Sequence, residues 1–261
     1  MARSEFKKTW SPILALKGIL SIKNWYVILL DYCGLLRGSE ITYIFRNGIK
    51  CITRGNNKDD RAVIKTVWLN KVYILNEDDL QDGSIVIDIG AQIGVFSVFS
   101  ASYANNIKVY AYEPFPDNYK LLIENIEVNK LEKHVYPFDV AVTDSSEKIK
   151  LFIDERGTTG HSVIIPQEKH VTVNSTTLTD IMEANKISQC DLLKMDIEGA
   201  EYPVLYSTPN HIFRKIKRIY LEYEDIDGST KYNHQYLHKF LSENGFSIIE
   251  KEHFLYATRI D

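Results

Sequence analysis

Between Ile85 and Arg259 short apolar runs of strand length alternate with longer stretches of helical period. The runs at 85–89, 108–112, 135–141, 191–196 and 217–224 read as strands, nearly continuous in Val, Ile, Leu and Tyr. Such runs belong to strands covered on both faces. The intervening segments 94–104, 116–129, 177–185, 199–207 and 232–244 carry helical spacing. Strand and helix in alternation predict an α/β fold, a mostly parallel sheet with crossover helices. The last two runs, Phe246 to Lys251 and Phe254 to Arg259, lie too close for a crossover and predict an antiparallel hairpin at the sheet edge. Between 145 and 175 the pattern shifts to short β-like runs, Lys148 to Ile153 and His170 to Asn174, around the turn Gly157-Thr-Thr-Gly160. This reads as an insertion in the main domain.

Upstream, Ile41 to Arg54 alternates as a hairpin with Asn47-Gly48 at its turn, and Arg61 to Trp68 reads as a short helix. Trp10 to Leu36 is rich in Ile, Leu, Trp and Tyr, but Lys17, Lys23 and Asp31 interrupt it. A membrane span needs ~20 predominantly apolar residues, so this stretch predicts a helical segment over 1–40 packed on a neighbour. With Arg3, Lys7, Lys8, Lys17 and Lys23 beside its apolar positions, peripheral contact with an anionic membrane surface is the alternative. The main domain is expected to run over 41–261.

Composition narrows the classes of function. At 261 residues, 44% hydrophobic and 25% charged, the chain can bury one large core. A net charge of −4 and a pI near 6.0 argue against a nucleic-acid substrate. Cys33, Cys51 and Cys190 are scattered, without a C-x-x-C pair, so nothing here implies a disulfide framework or a zinc site. No secretory signal stands out, and the expected compartment is cytoplasmic. Oligomeric state is not legible.

The chemistry lies where the strands end. VIDIGAQIGVFS carries a strand into a D-x-G-x-x-x-G turn and then a helix, and the next strand ends on Glu113, 25 residues after Asp88. A dinucleotide site needs G-x-G-x-x-G, bare backbone that can approach a pyrophosphate. Here Asp88 would repel phosphate but attract the ammonium end of S-adenosylmethionine, and Glu113 is placed to accept from the ribose hydroxyls. Neither acid is expected to be needed for packing. Asp139 falls near the end of the third strand, where it could meet an adenine amino group or simply be a turn acid. LLKMDIEGAEYPVL turns from apolar strand to polar loop, and an extended chain would place Lys194, Asp196 and Glu198 on one side. A structural ion pair is the competing reading of that Lys beside two acids.

VIDIGAQIGVFS, YEPFPDNYKLLIENIEVN and LLKMDIEGAEYPVL, with TTLTDI from Thr176 and YLEYE from Tyr220, resemble the FkbM family of S-adenosylmethionine-dependent methyltransferases. The likeness covers roughly residues 45 to 225. It implies a class I, Rossmann-like methyltransferase fold and O-methylation of a sugar, glycan or natural-product hydroxyl. The resemblance places cofactor binding on Asp88, Gly90, Gly94, Glu113 and Asp139, extended to Ala91, Gln92, Pro114, Asn118, Val140 and Lys194. Gln92 departs from the family's usual Asn, a longer amide that still reaches.

A sugar hydroxyl attacks well only if its proton is removed as it does so. Asp196 is the first candidate for that base, Glu198 the second, and His161 on the insertion the third. A divalent metal held by Asp196, Glu222 and Glu224 would be another route, but no compact ligand cluster supports it and no metal is assigned. A nucleotide-dependent oxidoreductase or epimerase, and a non-catalytic protein retaining the fold, are the competing classes. The acceptor's identity is not legible.

Overall fold

The computed structural model describes residues 16, 20–74, 76–154, 158, 160–226 and 231–260. The chain divides into two compact units, residues 1–71 and 72–261. Most of the predicted N-terminal helical segment lies outside the described residues. Within the first unit, α1 (Tyr26–Tyr32) precedes a hairpin of β1 (Glu40–Ile44) and β2 (Lys50–Arg54). Gly48 supplies the positive φ its turn requires, so the predicted Asn-Gly turn is present. The hairpin belongs to this unit rather than to the larger one. Helix α2 (Lys58–Ile64) starts on Asn57, whose side chain accepts from the amides of Asp59 and Asp60. It runs on into a π-helical turn over Lys65–Leu69, so the predicted helix at 61–68 starts earlier and ends wider.

The second unit is built on a seven-stranded sheet. In chain order its elements begin with β3 (Ile85–Ile89), α3 (Val95–Ala101), β4 (Lys108–Tyr112), α4 (Pro116–Val128) and β5 (Val135–Phe138). A separate three-stranded sheet follows, made of β6 (Ala141–Val142), β7 (Lys148–Phe152) and β8 (His170–Thr176). The chain then returns through α5 (Leu178–Ala184), β9 (Leu192–Met195), α6 (Glu201–Ser207), α7 (Asn210–Phe213) and β10 (Arg218–Glu222). It ends in α8 (His234–Glu243), β11 (Phe246–Lys251) and β12 (Phe254–Arg259). The main sheet has the order β11-β12-β10-β9-β3-β4-β5. It is parallel from β5 to β10, and β12 pairs antiparallel with both β10 and β11.

The third strand departs from the sequence reading. It stops at Phe138, and Ala141–Val142 crosses to pair with β8, because the chain leaves the main sheet at Asp139. The predicted insertion strands are β7 and β8, paired antiparallel. Of their connecting Gly-Thr-Thr-Gly turn, only Thr158 and Gly160 are described.

The sheet is covered as its apolar runs require. Helix α3 is buried at every position, so its VFSVFSA sequence shows no amphipathic stripe. Ile87, Leu193, Met195 and Leu221 pack with Tyr202 and Leu205 of α6 and Leu237 and Leu241 of α8. The order reverses at β3: the chain moves outward to β4 and β5, then returns to place β9 on the other side. Ligands of open parallel sheets bind beyond the strands' carboxyl ends at such a switch point.

The terminal hairpin is pinned by Arg259. Its Nε donates to the Ile216 carbonyl (2.9 Å) and Nη2 to that of Phe213 (2.5 Å), while the guanidinium lies 4.3 Å from the Phe246 ring centroid. Arg259→Ala should lower unfolding free energy by about 2–4 kcal/mol in urea titrations, and Arg259→Lys should recover little, lacking the fork. A loss below about 0.5 kcal/mol would show that the hairpin holds itself.

Candidate active site

Backbone geometry explains the glycines after β3. Gly90 has φ +76°, and a Cβ there would lie 2.0 Å from the Asp196 carbonyl oxygen. Only glycine lets the turn pass so close to the chain leaving β9. The amides of Gly90 and Ala91 both donate to the Tyr112 carbonyl at 3.0 Å, tying the turn to the end of β4. Gly94 (φ +82°) sits where a Cβ would meet Leu122 at 2.4 Å, so it sets the close approach of α3 to α4.

Asp88 and Lys194 face each other across β3 and β9, in register. Their ion pair spans 3.1 Å and both side chains are buried. The other Asp88 oxygen accepts from Ser97 Oγ at 2.6 Å, and Lys194 Nζ donates to the Gly90 carbonyl at 2.6 Å. Burial pushes the Lys194 pKa down, but the charges of Asp88, Asp196 and Glu113 outweigh it and the net shift is upward. The ammonium stays charged. Two expectations are corrected here. Asp88, expected not to be needed for packing, is buried in an ion pair with Lys194 and is part of the packing. Lys194 takes Asp88 as its salt-bridge partner, not Asp196 or Glu198.

Glu113 ends β4 and is buried. It accepts from the Gln92 amide (2.8 Å) and the Phe115 amide (2.9 Å), so one carboxylate clamps two loops. Burial raises its pKa to about 7, against the downward pull of those amides, Lys194 and the Asn118 side chain. Asn118 also donates to the Thr158 carbonyl at 3.1 Å, bringing the insertion onto α4. His161 packs its ring 4.1 Å from that of Phe115, and its Nδ1 accepts from the Asp154 amide. It is thereby set beside Phe115, the residue whose amide Glu113 accepts. Beyond Glu113 a cavity of about 710 Å³ opens, walled by Pro114, Pro116, Tyr119, Asp139 and the β7–β8 residues Lys148 and Asn174. Asp139 is exposed there and Val140 is half-buried. Gln92 Nε2, beside Glu113, is buried without a hydrogen-bond partner.

The second motif leaves its strand at Met195. Asp196 donates its amide to the Ile89 carbonyl (3.1 Å), and its Oδ2 accepts from Tyr73 Oη at 3.3 Å. Glu198 then adopts φ +54°, a left-handed conformation, and Gly199 follows at +98°. The extended chain that would align Lys194, Asp196 and Glu198 ends after Asp196, so Glu198 is carried round the turn. Glu201 fixes that turn by accepting from the amides of Ile197 (2.6 Å) and Gly199 (2.8 Å). Buried Ser162 donates to the Glu198 carbonyl at 2.8 Å, linking the insertion to the same loop. Glu222 ends β10 one step past the Leu221–Met195 pair, which brings it beside Asp196. Burial, then the charges of Asp196 and Glu198, raise its pKa far above the carboxylate range.

Sequence reasoning missed Tyr73, Ser97, Ser162 and the loop-holding role of Glu201. Glu201 had a signal, an acid at the first turn of a helix after a glycine. Tyr73 had none: it lies outside every motif and reaches Asp196 only through its packing on Phe96 and Phe254. Among the described residues no three His, Cys, Asp or Glu side chains are grouped to hold a metal ion.

Comparison with known proteins agrees with this layout. The sequence model of the Methyltransferase FkbM domain matches residues 88–248. The chain belongs to the FkbM family of S-adenosylmethionine-dependent methyltransferases, and its sheet order is that of the class I fold. Among curated relatives, the 31-O-demethyl-FK506 methyltransferase FkbM of Streptomyces tacrolimicus is 21% identical over 77% of this chain and 87% of its own length. The hexuronic acid methyltransferase AglP of Haloferax volcanii is 25% identical over 51% of this chain and 53% of its own. The chain spans 11% of another, the AMB antimetabolite synthetase AmbE of Pseudomonas aeruginosa, at 22% identity over 74% of this chain. The crystal structure of Methyltransferase FkbM from Methylobacillus flagellatus aligns over 94% of this chain and 58% of that one, with 13% identity and a TM-score of 0.48.

Two measurements follow from the buried charges. Asp88→Ala strands the Lys194 ammonium and should cost about 3–5 kcal/mol in urea unfolding, with Asp88→Leu/Lys194→Met recovering much of it. A single variant as stable as the parent would refute the pairing. Glu113 and Glu201 both have pKa values raised to about 7 by burial, each opposed by amide bonds. A carboxyl raised on folding binds more protons folded than unfolded, so its contribution falls as pH climbs from about 4.5 through about 7. Glu201→Gln should remove a decline of up to about 3 kcal/mol across that window. Parallel pH–stability curves for parent and variant would contradict the assignment.

Proposed function

We propose that this chain transfers a methyl group from S-adenosylmethionine to a hydroxyl of a sugar, glycan or natural product, with Asp196 taking the hydroxyl proton. The observation that carries the reading is how the acids at the strand ends are used. Asp88 is held by Lys194 and Ser97, Glu113 and Glu201 by two backbone amides each. Asp196 is only half-buried, held by one tyrosine hydroxyl at the switch point. Its neighbour Glu222 has a pKa raised by desolvation and by the charges of Asp196 and Glu198, which favours its neutral form beside Asp196.

The cofactor supplies an electrophilic methyl on a sulfonium. The residues present fit such a group. The buried Gln92 Nε2 without a partner is a donor in search of an acceptor, and Glu113 retains lone pairs beside its two amides for ribose hydroxyls. The cavity edged by Pro114 and Asp139 has the volume of a nucleoside-sized site. In this reading Asp88 and Lys194 hold the Gly90–Gly94 turn, and Asn118 and His161 wall the nucleoside side. Glu198, carried round the turn, faces the acceptor side. Methyl transfer is an in-line displacement, so alignment supplies most of the acceleration and the base the remainder.

The acceptor class rests on two relatives, one named for 31-O-demethyl-FK506 and one for hexuronic acid. Both names are those of small molecules or sugars.

Asp196→Asn should reduce methyl transfer to a small-molecule and glycan extract by about 10²–10⁴-fold while calorimetric cofactor affinity holds. Near-normal turnover in a destabilised variant would make Asp196 structural. Calorimetry should find binding of S-adenosylmethionine and none of NAD; the reverse would end the proposal. His161→Ala, read from its place against Phe115, should weaken cofactor binding at least as much as turnover. An effect on turnover alone would return His161 to the acceptor side.

A further inference from the structure

The first unit carries a charge and a surface that methyl transfer does not use. Residues 1–71 hold 13 Lys and Arg against 5 Asp and Glu, while the whole chain is at −4. Two of those five acids, Asp31 and Asp60, are buried and paired with Arg61 and Arg54. Each of these pairs cancels one acid against one arginine, so the surplus of basic over acidic residues in this unit stands.

Its apolar side chains are also outside. Of eleven exposed large hydrophobic residues among those described, eight lie between Leu16 and Leu35. Tyr26, Leu29 and Leu30 fall at i, i+3 and i+4 on α1, which makes one stripe of one helix face. Trp25 precedes it and Leu35, 71% exposed, follows it. The helix is turned against the usual sense. Its buried residue is Asp31, which accepts from Tyr43 Oη (3.2 Å) and Arg61 Nη1 (3.0 Å) and from the Asn56 amide. That network fixes the rotation of α1, and the leucines are left outside by construction. Lys23 and Arg37, at either end of the stripe, are exposed as well.

We propose that this face docks the chain on an anionic lipid surface, the leucines entering the acyl boundary and the basic side chains meeting the headgroups. Trp and Tyr beside leucines, ringed by Lys and Arg, match the layering of a bilayer interface. A nucleic acid would use the charge but has no place for an exposed leucine stripe. A second copy of the unit would meet this face with the same positive charge. No helix among the described residues is long and apolar enough to cross a membrane, so the contact is peripheral. The inference is independent of the active-site reading.

Flotation of the full chain with phosphatidylcholine vesicles, and with mixed phosphatidylcholine–phosphatidylglycerol vesicles, tests it. Binding should be at least about tenfold tighter on the anionic vesicles and should weaken in about 0.5 M salt. Leu29→Ser/Leu30→Ser alters only exposed side chains and should weaken it by about tenfold or more at unchanged melting temperature. Lys23→Gln/Arg37→Gln should weaken anionic binding and leave neutral binding alone. Equal binding to both vesicles, or no effect of the leucine change, overturns the proposal. So does a concentration-dependent dimer that the leucine change dissolves without vesicle binding by the parent, or preference for a homopolymeric RNA over the anionic vesicles.

Discussion

The second unit is organised around one buried ion pair. Asp88 and Lys194 sit opposite each other on the two strands that flank the switch point, both buried. An isolated charge there would cost several kcal/mol, and each removes that cost for the other. The bond to the Gly90 carbonyl then carries the constraint into the glycine turn. The turn in turn passes within touching distance of Asp196, where any side chain on Gly90 would collide. The two sequence motifs thus meet as one object.

Around that pair, one residue type does several jobs because its surroundings differ. Glu113 and Glu201 each accept two backbone amides and serve as clamps for loops. Glu222, near the carboxylates of Asp196 and Glu198, has its pKa raised by desolvation and by their charges. Asp196 is half-buried just past its strand and accepts from the Tyr73 hydroxyl. Environment divides the work that composition leaves undivided.

The insertion is part of this arrangement. Thr158 meets Asn118, His161 meets Phe115, and Ser162 holds the Glu198 carbonyl. One segment of the chain therefore touches both the Glu113 side and the Asp196 loop. Loop segments of this kind carry function more often than the elements they connect.

Period and turn chemistry carried much of this structure on their own. The strands at 85–89 and 108–112, the terminal hairpin and the β7–β8 pair were legible because backbone hydrogen bonding and burial impose local patterns. The glycines and acids at the strand ends were legible because φ and charge mark them. Direction was not. Asp88 reads the same whether it faces a ligand or a buried lysine, and only the β3–β9 register turns it inward. The run from Lys194 to Glu198 reads as extended, yet Gly199 and the Glu201 carboxylate wind it into a left-handed turn. Tyr73 reaches Asp196 across 123 residues of chain, a contact that depends on packing between elements and leaves no local trace. In the first unit Asp31 looked like an interruption of an apolar helix. Packing made it the buried anchor and left the leucines outside. Local sequence specified which elements form and which residues carry charge. The tertiary fold decided which way those charges point, because direction is set by partners far away in the chain.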